Sequence, residues 1–180
     1  MAVQTVSAAP QDGALQGRIL IGLCGYYDVL LQDGRRVQTV ARGRFRREKI
    51  KPLAGDVVTV LPTQEQQGVF GSIDEILPRK NAFIRPPVAN IDRVIVVLSA
   101  GAPQPDLLLT DKLLMQAVRA GVEPVICLSK CDTGQEAFIH ELCDEYRFFR
   151  CICTSSVTGQ GIDAFRELVR GGVCAVAGQS

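Results

Sequence analysis

Short stretches of alternating apolar and polar residues fill the first part of the chain, and uninterrupted apolar runs separated by helical patterns fill the rest. Period-two alternation predicts strands over 17–23, 26–31 and 37–41, with Gln32-Asp33-Gly34-Arg35 as a tight hairpin turn. Two more strands follow over 56–61 and 69–76, behind Pro52 and Gly55. Five short strands in about sixty residues predict a closed five-stranded barrel of OB type, although the count alone fits an SH3-like barrel almost as well. From 94 onward the rhythm changes. Apolar runs over 94–99, 125–128, 149–153 and 173–177 alternate with helical patterns over 105–120, 135–147 and 162–169. Pro105 suits the first turn of the first helix and Gly121 its carboxyl cap. Wholly apolar strands alternating with helices predict a parallel sheet covered on both faces. The expected organisation is a flexible start (1–14), a barrel (15–77), a proline-interrupted connector (78–90) and a β/α unit (91–180).

Charge divides the chain the same way. Eight of its 20 basic residues, Arg35, Arg36, Arg42, Arg44, Arg46, Arg47, Lys49 and Lys51, fall in one short segment against the single acid Glu48. The rest is net acidic, so the barrel is expected to face a polyanion. OB barrels hold nucleic acid by combining a charged groove with aromatic stacking. Tyr26, Tyr27 and Phe45 are available for stacking or, equally, for the barrel core.

Seven cysteines, with no C-x-x-C pair, read as reduced core residues, and a single histidine, His140, makes a zinc site within the chain unexpected. No apolar run is long enough to span a bilayer, and residues 1–10 lack a secretory pattern. A monomeric cytoplasmic protein without a membrane partner is the expectation.

The chemistry concentrates where apolar runs stop. The run ending at Leu128 gives way to Ser129-Lys130-Cys131-Asp132. A strand that releases Lys130 and Asp132 together can lay the lysine stem over a purine and offer the carboxylate to two N–H groups on a guanine edge. Adenine lacks that donor pair. The next apolar run ends at Thr154-Ser155-Ser156-Val157-Thr158-Gly159, and the last at Gly178-Gln179-Ser180. All three turns sit at carboxyl ends of predicted strands, where parallel sheets bind ligands.

These residues resemble the RsgA (YjeQ) family of circularly permuted, ribosome-small-subunit-dependent GTPases. Arg42-Gly43-Arg44-Phe45-Arg46, Leu53-Ala54-Gly55-Asp56-Val57-Val58, Leu77-Pro78-Arg79-Lys80-Asn81, Arg85-Pro86-Pro87-Val88-Ala89-Asn90-Ile91-Asp92 and Thr110-Asp111-Lys112-Leu113-Leu114 carry the likeness from about 15 to 180. The resemblance implies an OB domain that docks on small-subunit rRNA, followed by part of a permuted P-loop GTPase domain. It implies that Ser129, Lys130 and Asp132 read guanine, with Ser129 where the family usually has asparagine. Ser155 and Ser156 stand at the Ser-Ala pair that approaches the guanine oxygen, and Gly178, Gln179 and Ser180 at the opening of the phosphate loop. GTP or GDP with Mg2+ is the implied ligand of the whole protein, and the family's zinc site is expected outside this sequence. The sequence is expected to be a fragment without turnover of its own. The competing reading is a non-catalytic RNA-binding OB module with a vestigial nucleotide domain; a flavin or other nucleotide fold is disfavoured because no G-x-G-x-x-G follows an early strand.

Overall fold

The computed structural model describes residues 13–66 and 68–179. The chain divides into two compact units, Met1–Asn90 and Ile91–Ser180.

The first unit is a barrel of β1 (Leu15–Leu23), β2 (Tyr26–Leu31), β3 (Arg36–Ala41), β4 (Val57–Gln66) and β5 (Val69–Ile76), with a short helix α1 (Gly43–Arg47) between β3 and β4. The strands close in the order β1-β2-β3-β5-β4, and β4 pairs back onto β1. The pairing of β3 with β5 is parallel, and all the other pairings are antiparallel. A crossover of this kind with a helix before β4 is the OB arrangement, which decides between the two barrel types. Alternate residues point inward, so Val29 and Leu31, Val58 and Val60, Ile19 and Ile73 meet in one core. Each such side chain contributes roughly 1.5–3 kcal/mol on burial. Helix α1 was not legible in the alternation, because five residues are too few for a helical period. Its single buried side chain is Phe45, which joins the barrel core and is therefore withdrawn from base stacking.

The proline-rich stretch after β5 is fastened to the barrel. Arg79 donates through Nε and Nη2 to the two carboxylate oxygens of Asp56, both at 2.7 Å, and through Nη2 to the Lys51 carbonyl at 2.9 Å. Asp56 is fully buried and also accepts from the Leu53 N–H at 2.8 Å. Asn90 donates to the Gly55 carbonyl and accepts from the Lys80 N–H. Gly55 has φ +89°, and a Cβ there would lie 1.9 Å from the Ala89 carbonyl oxygen, so only glycine permits this approach.

The second unit contains β6 (Arg93–Ser99), α2 (Leu107–Arg119), β7 (Glu123–Ser129), α3 (Glu136–Glu145), β8 (Arg150–Cys153), α4 (Ile162–Val169) and β9 (Cys174–Gly178). The four strands form a wholly parallel sheet in the order β8-β7-β6-β9. Ile95, Val125, Cys127 and Ile152 pack with Leu168, Phe165 and Val169 of α4 on one face. Pro105 does not occupy the first turn of α2. The cap is Asp106, whose Oδ1 accepts from the Leu109 N–H at 3.0 Å, and Pro105 precedes it. The aspartate carboxylate satisfies one of the helix's free N–H groups, which proline, with no acceptor in its side chain, cannot do. Gly121, with φ +66°, follows the last turn.

Candidate nucleotide site and basic face

The carboxyl ends of all four parallel strands lie along one edge of the sheet. After β7 the chain turns sharply: Lys130 adopts φ +58°, and its carbonyl accepts from Thr133 N–H at 3.0 Å and Gly134 N–H at 3.2 Å. A left-handed lysine is strained and persists only where the surroundings fix it. Here two neighbours do so. The Cys131 N–H donates to the Thr154 carbonyl at 3.1 Å, tying this turn to the one that follows β8. A Cβ on Gly134 would lie 2.7 Å from the Ala100 carbonyl oxygen, so the loop after β6 presses on the same turn.

Within this frame Ser129 Oγ donates to the Leu98 carbonyl at 3.0 Å and joins the ends of β7 and β6. Lys130 Nζ donates to the Ala102 carbonyl at 3.0 Å. Asp132 is exposed and has no hydrogen bond or ion pair among the described residues. Ser155 is fully buried: its Oγ accepts from the Val157 N–H at 3.2 Å and the Thr158 N–H at 3.1 Å, which shapes the turn. That hydroxyl is therefore committed to the backbone. Ser156 is exposed, and its N–H has no acceptor among the described residues.

A cavity of about 260 Å³ opens beside these turns, between the ends of β6 and β9 and helix α2. Ser129, Lys130, Gly178 and Gln179 line it together with Pro103, Pro105 and Asp106. Asp132, Ser155 and Ser156 are not on its wall. The seven described candidates thus fall into a cavity group and a rim group, and Lys130 connects them in sequence. Gln179 Oε1 accepts from the Asp106 N–H at 2.9 Å, so the last described residue is pinned to the start of α2. Ser180 lies outside the described residues. Reading motifs alone missed the loop 100–106, although a polar loop after the first parallel strand is the signal that would have found it. Among the described residues no three His, Cys, Asp or Glu side chains gather as a metal ion would require.

On the barrel, the eight basic residues separate into two sets. Arg35 pairs with Asp33, Arg36 with Asp28, and Arg42 and Arg44 both with Asp74. Arg46, Arg47, Lys49 and Lys51 are exposed and have no ion pair among the described residues. A concavity of about 460 Å³ brings Arg46, Lys49 and Lys51 together with Arg42 and the half-buried Tyr27. Sequence alone could not say which cations were already neutralised, because Asp74 is remote in sequence from Arg42 and Arg44.

A five-stranded OB barrel followed by a parallel sheet, with the lysine–aspartate turn preceding the glycine-ended strand, is the architecture of a circularly permuted GTPase. Sequence comparison agrees: the profile of the RsgA GTPase matches residues 76–180 and that of the RsgA N-terminal domain matches residues 16–70. The chain belongs to the RsgA GTPase family. It is 37% identical over 168 residues to the small ribosomal subunit biogenesis GTPase RsgA of Caldanaerobacter subterraneus subsp. tengcongensis, spanning 92% of this chain and 56% of that protein. Against the same-named protein of Geobacillus thermodenitrificans the identity is 38% over 170 residues, with 92% and 57% covered. The chain therefore spans just over half the length of these relatives. Among solved structures it is similar to YjeQ from Thermotoga maritima, with a TM-score of 0.78 at 28% identity, covering 93% of this chain and 61% of that one. It is also similar to YloQ, a circularly permuted GTPase, with a TM-score of 0.72 at 30% identity, covering 96% and 63%.

Proposed function

We propose that this chain supplies the guanine-reading half and the RNA-docking barrel of a GTPase that acts in biogenesis of the small ribosomal subunit. The observation that carries the nucleotide reading is the hydrogen bond that sets the Lys130 turn beside the Ser155 turn, while the Asp132 carboxylate and the Ser156 N–H remain unengaged. One acceptor pair and one donor, both exposed on adjacent turns, complement the two donors and the carbonyl oxygen of guanine. A charge-assisted bidentate contact from Asp132 is the strongest term such a site can offer. The Lys130 stem, held across the loop after β6, gives the base a face to rest on. From β7, whose turn carries Asp132, to β9, which ends at Gly178, there are two strand steps of about 4.8 Å each. That spacing suits a nucleotide whose base sits at Asp132 and whose phosphates reach toward Gly178. Ser129 bonds the Leu98 carbonyl and braces the turn, so it acts on the base indirectly. In the whole protein Mg2+ accompanies the phosphates, and its ligands are not assigned to the residues described here.

Replacing Asp132 with Asn tests the reading. Asparagine offers one acceptor and one donor, which suits xanthine and misfits guanine. The expected outcome is a loss of GDP affinity of about 30-fold, equivalent to about 2 kcal/mol for hydrogen bonds to a charged group, with a gain for XDP. Unchanged discrimination between GDP and XDP in calorimetric titration defeats the guanine assignment.

The barrel reading rests on the unpaired cations around the Tyr27 concavity. RNA phosphates are the ligand, and Arg46, Lys49 and Lys51 meet them. Arg35, Arg36, Arg42 and Arg44 hold barrel carboxylates, which narrows the expected basic face to its second half.

A further inference from the structure

Four sulfurs lie behind the guanine-side turns. Cys143 on α3 and Cys151 on β8 face each other with Sγ···Sγ 3.7 Å. Cys153, two residues on, lies on the same face of β8 as Cys151. Cys131 itself sits between Lys130 and Asp132, and its Sγ donates to the Leu128 carbonyl at 3.3 Å. All of these are free thiols and none is fully buried, in contrast to Cys127 on the opposite face of the sheet. All four are reduced, as expected, and they are less deeply buried than Cys127.

We propose that Cys143 and Cys151 are a thiol pair that hydrogen peroxide converts into an intramolecular disulfide, fastening α3 to β8. Closing the pair requires the sulfurs to approach from 3.7 Å to about 2.0 Å. One thiolate attacks a peroxide oxygen, the O–O bond breaks, and the departing oxygen takes a proton to leave as water. The resulting sulfenic acid is attacked by the second sulfur: the S–S bond forms, the S–O bond breaks, and hydroxide leaves with a proton as a second water. Two thiols lose two electrons and the peroxide gains them. Burial, and then the neighbouring Cys143, raises the Cys151 thiol well above its ordinary value. Burial followed by Cys143 and Cys131 pushes Cys153 up to about 12. Thiolate is therefore scarce at neutral pH, and the reaction quickens as pH rises.

The placement gives the bond a consequence. Helix α3 begins just after the Lys130 turn, with Gln135 as its cap, and β8 runs directly into the Ser155 turn. A covalent tie between them holds the two turns that the guanine reading assigns to the base, so oxidation alters nucleotide affinity; this clause rests on that reading.

The test uses the chain carrying Cys24→Ser, which removes the exposed barrel thiol and with it the easiest intermolecular link. After hydrogen peroxide treatment, trypsin cuts at Lys130, Arg147, Arg150 and Arg166 and separates Cys143 from Cys151. The expected product is a reducible link between peptides 131–147 and 151–166, lost on Cys143→Ser and on Cys151→Ser and present in the parent. A link that is absent from the parent, or that survives Cys143→Ser as a Cys131–Cys153 bond would, overturns the pairing. GDP titration of reduced and oxidised protein then reads the coupling, which is expected to differ severalfold. Equal affinities with the link formed overturn the coupling alone. A link that forms in a protein whose reduced form binds no GDP leaves the disulfide standing and defeats the guanine reading.

Discussion

The barrel and the sheet handle their edges in opposite ways. In the barrel every strand has two partners, and β4 returns to β1 so that no edge is left open. In the sheet β8 and β9 each have one partner among the described residues, and Val176 on β9 is 60% exposed. The barrel holds its candidate RNA-facing cations on the outside, on a short helix and the loop after it, around a core of Ile19, Val29, Leu31, Val58, Val60 and Ile73. The sheet holds its candidate nucleotide-binding groups in the turns at the tips of its strands, where Lys130, Asp132 and Ser156 lie. The candidate cations of the barrel act one by one, whereas the turns of the sheet brace one another through the Cys131 N–H and the Thr154 carbonyl.

The largest effect that separates the two is expected at Asp56. Asp56→Ala leaves Arg79 without its buried partner and also frees the Leu53 N–H. The barrel is expected to lose roughly 3–5 kcal/mol, the usual cost of breaking a buried pair. Urea unfolding followed by barrel tyrosine fluorescence checks this, and the same change should leave the parallel sheet's transition in place. A single shifted transition for both units would show that they are not separable in this way.

Next in size is the basic face. Neutralising Arg46, Lys49 and Lys51 together should weaken binding to single-stranded RNA and lower the salt slope by about 2, at roughly 0.7 per phosphate contact. Neutralising Arg35 and Arg36 should change the slope little, because both already face carboxylates. Filter binding at several salt concentrations distinguishes the sets, and equal effects would put the patch back along the whole segment.

The smallest expected effect lies at Ser129. Ser129→Ala removes the bond to the Leu98 carbonyl and is expected to cost about 1 kcal/mol, the usual net value of one hydrogen bond. Thermal unfolding reads this in the sheet and should leave the barrel untouched. A loss several times larger would mean that the hydroxyl holds more than the two strand ends.

Much of this was legible before any coordinates. Strands β2 and β5 and helix α4 fall where periodicity put them, because each has a clean alternation or a clear apolar stripe bounded by turn residues. The polar turns after β7 and β8 fall where the apolar runs stop, at the carboxyl ends of parallel strands. What escaped was long-range or too short to have a period. Asp74 neutralising Arg42 and Arg44, Arg79 reaching Asp56, and the loop 100–106 forming a cavity wall all depend on partners distant in sequence. Helix α1 is too short for a stripe, and Phe45 was ambiguous between core and surface until its neighbours were known. The cysteines looked alike in sequence, and only the packing of α3 against β8 separates the paired thiols from Cys127.

The central claim is that guanine nucleotide meets the tips of the parallel strands and RNA meets the barrel. Titration of the 15N-labelled chain with GDP, read by amide chemical shifts, tests it most directly. The account predicts perturbations at Lys130, Asp132, Ser156 and Gly178, with Arg46, Lys49 and Lys51 unmoved. Shifts confined to the barrel, or equal shifts with ADP at the same amides, would contradict it.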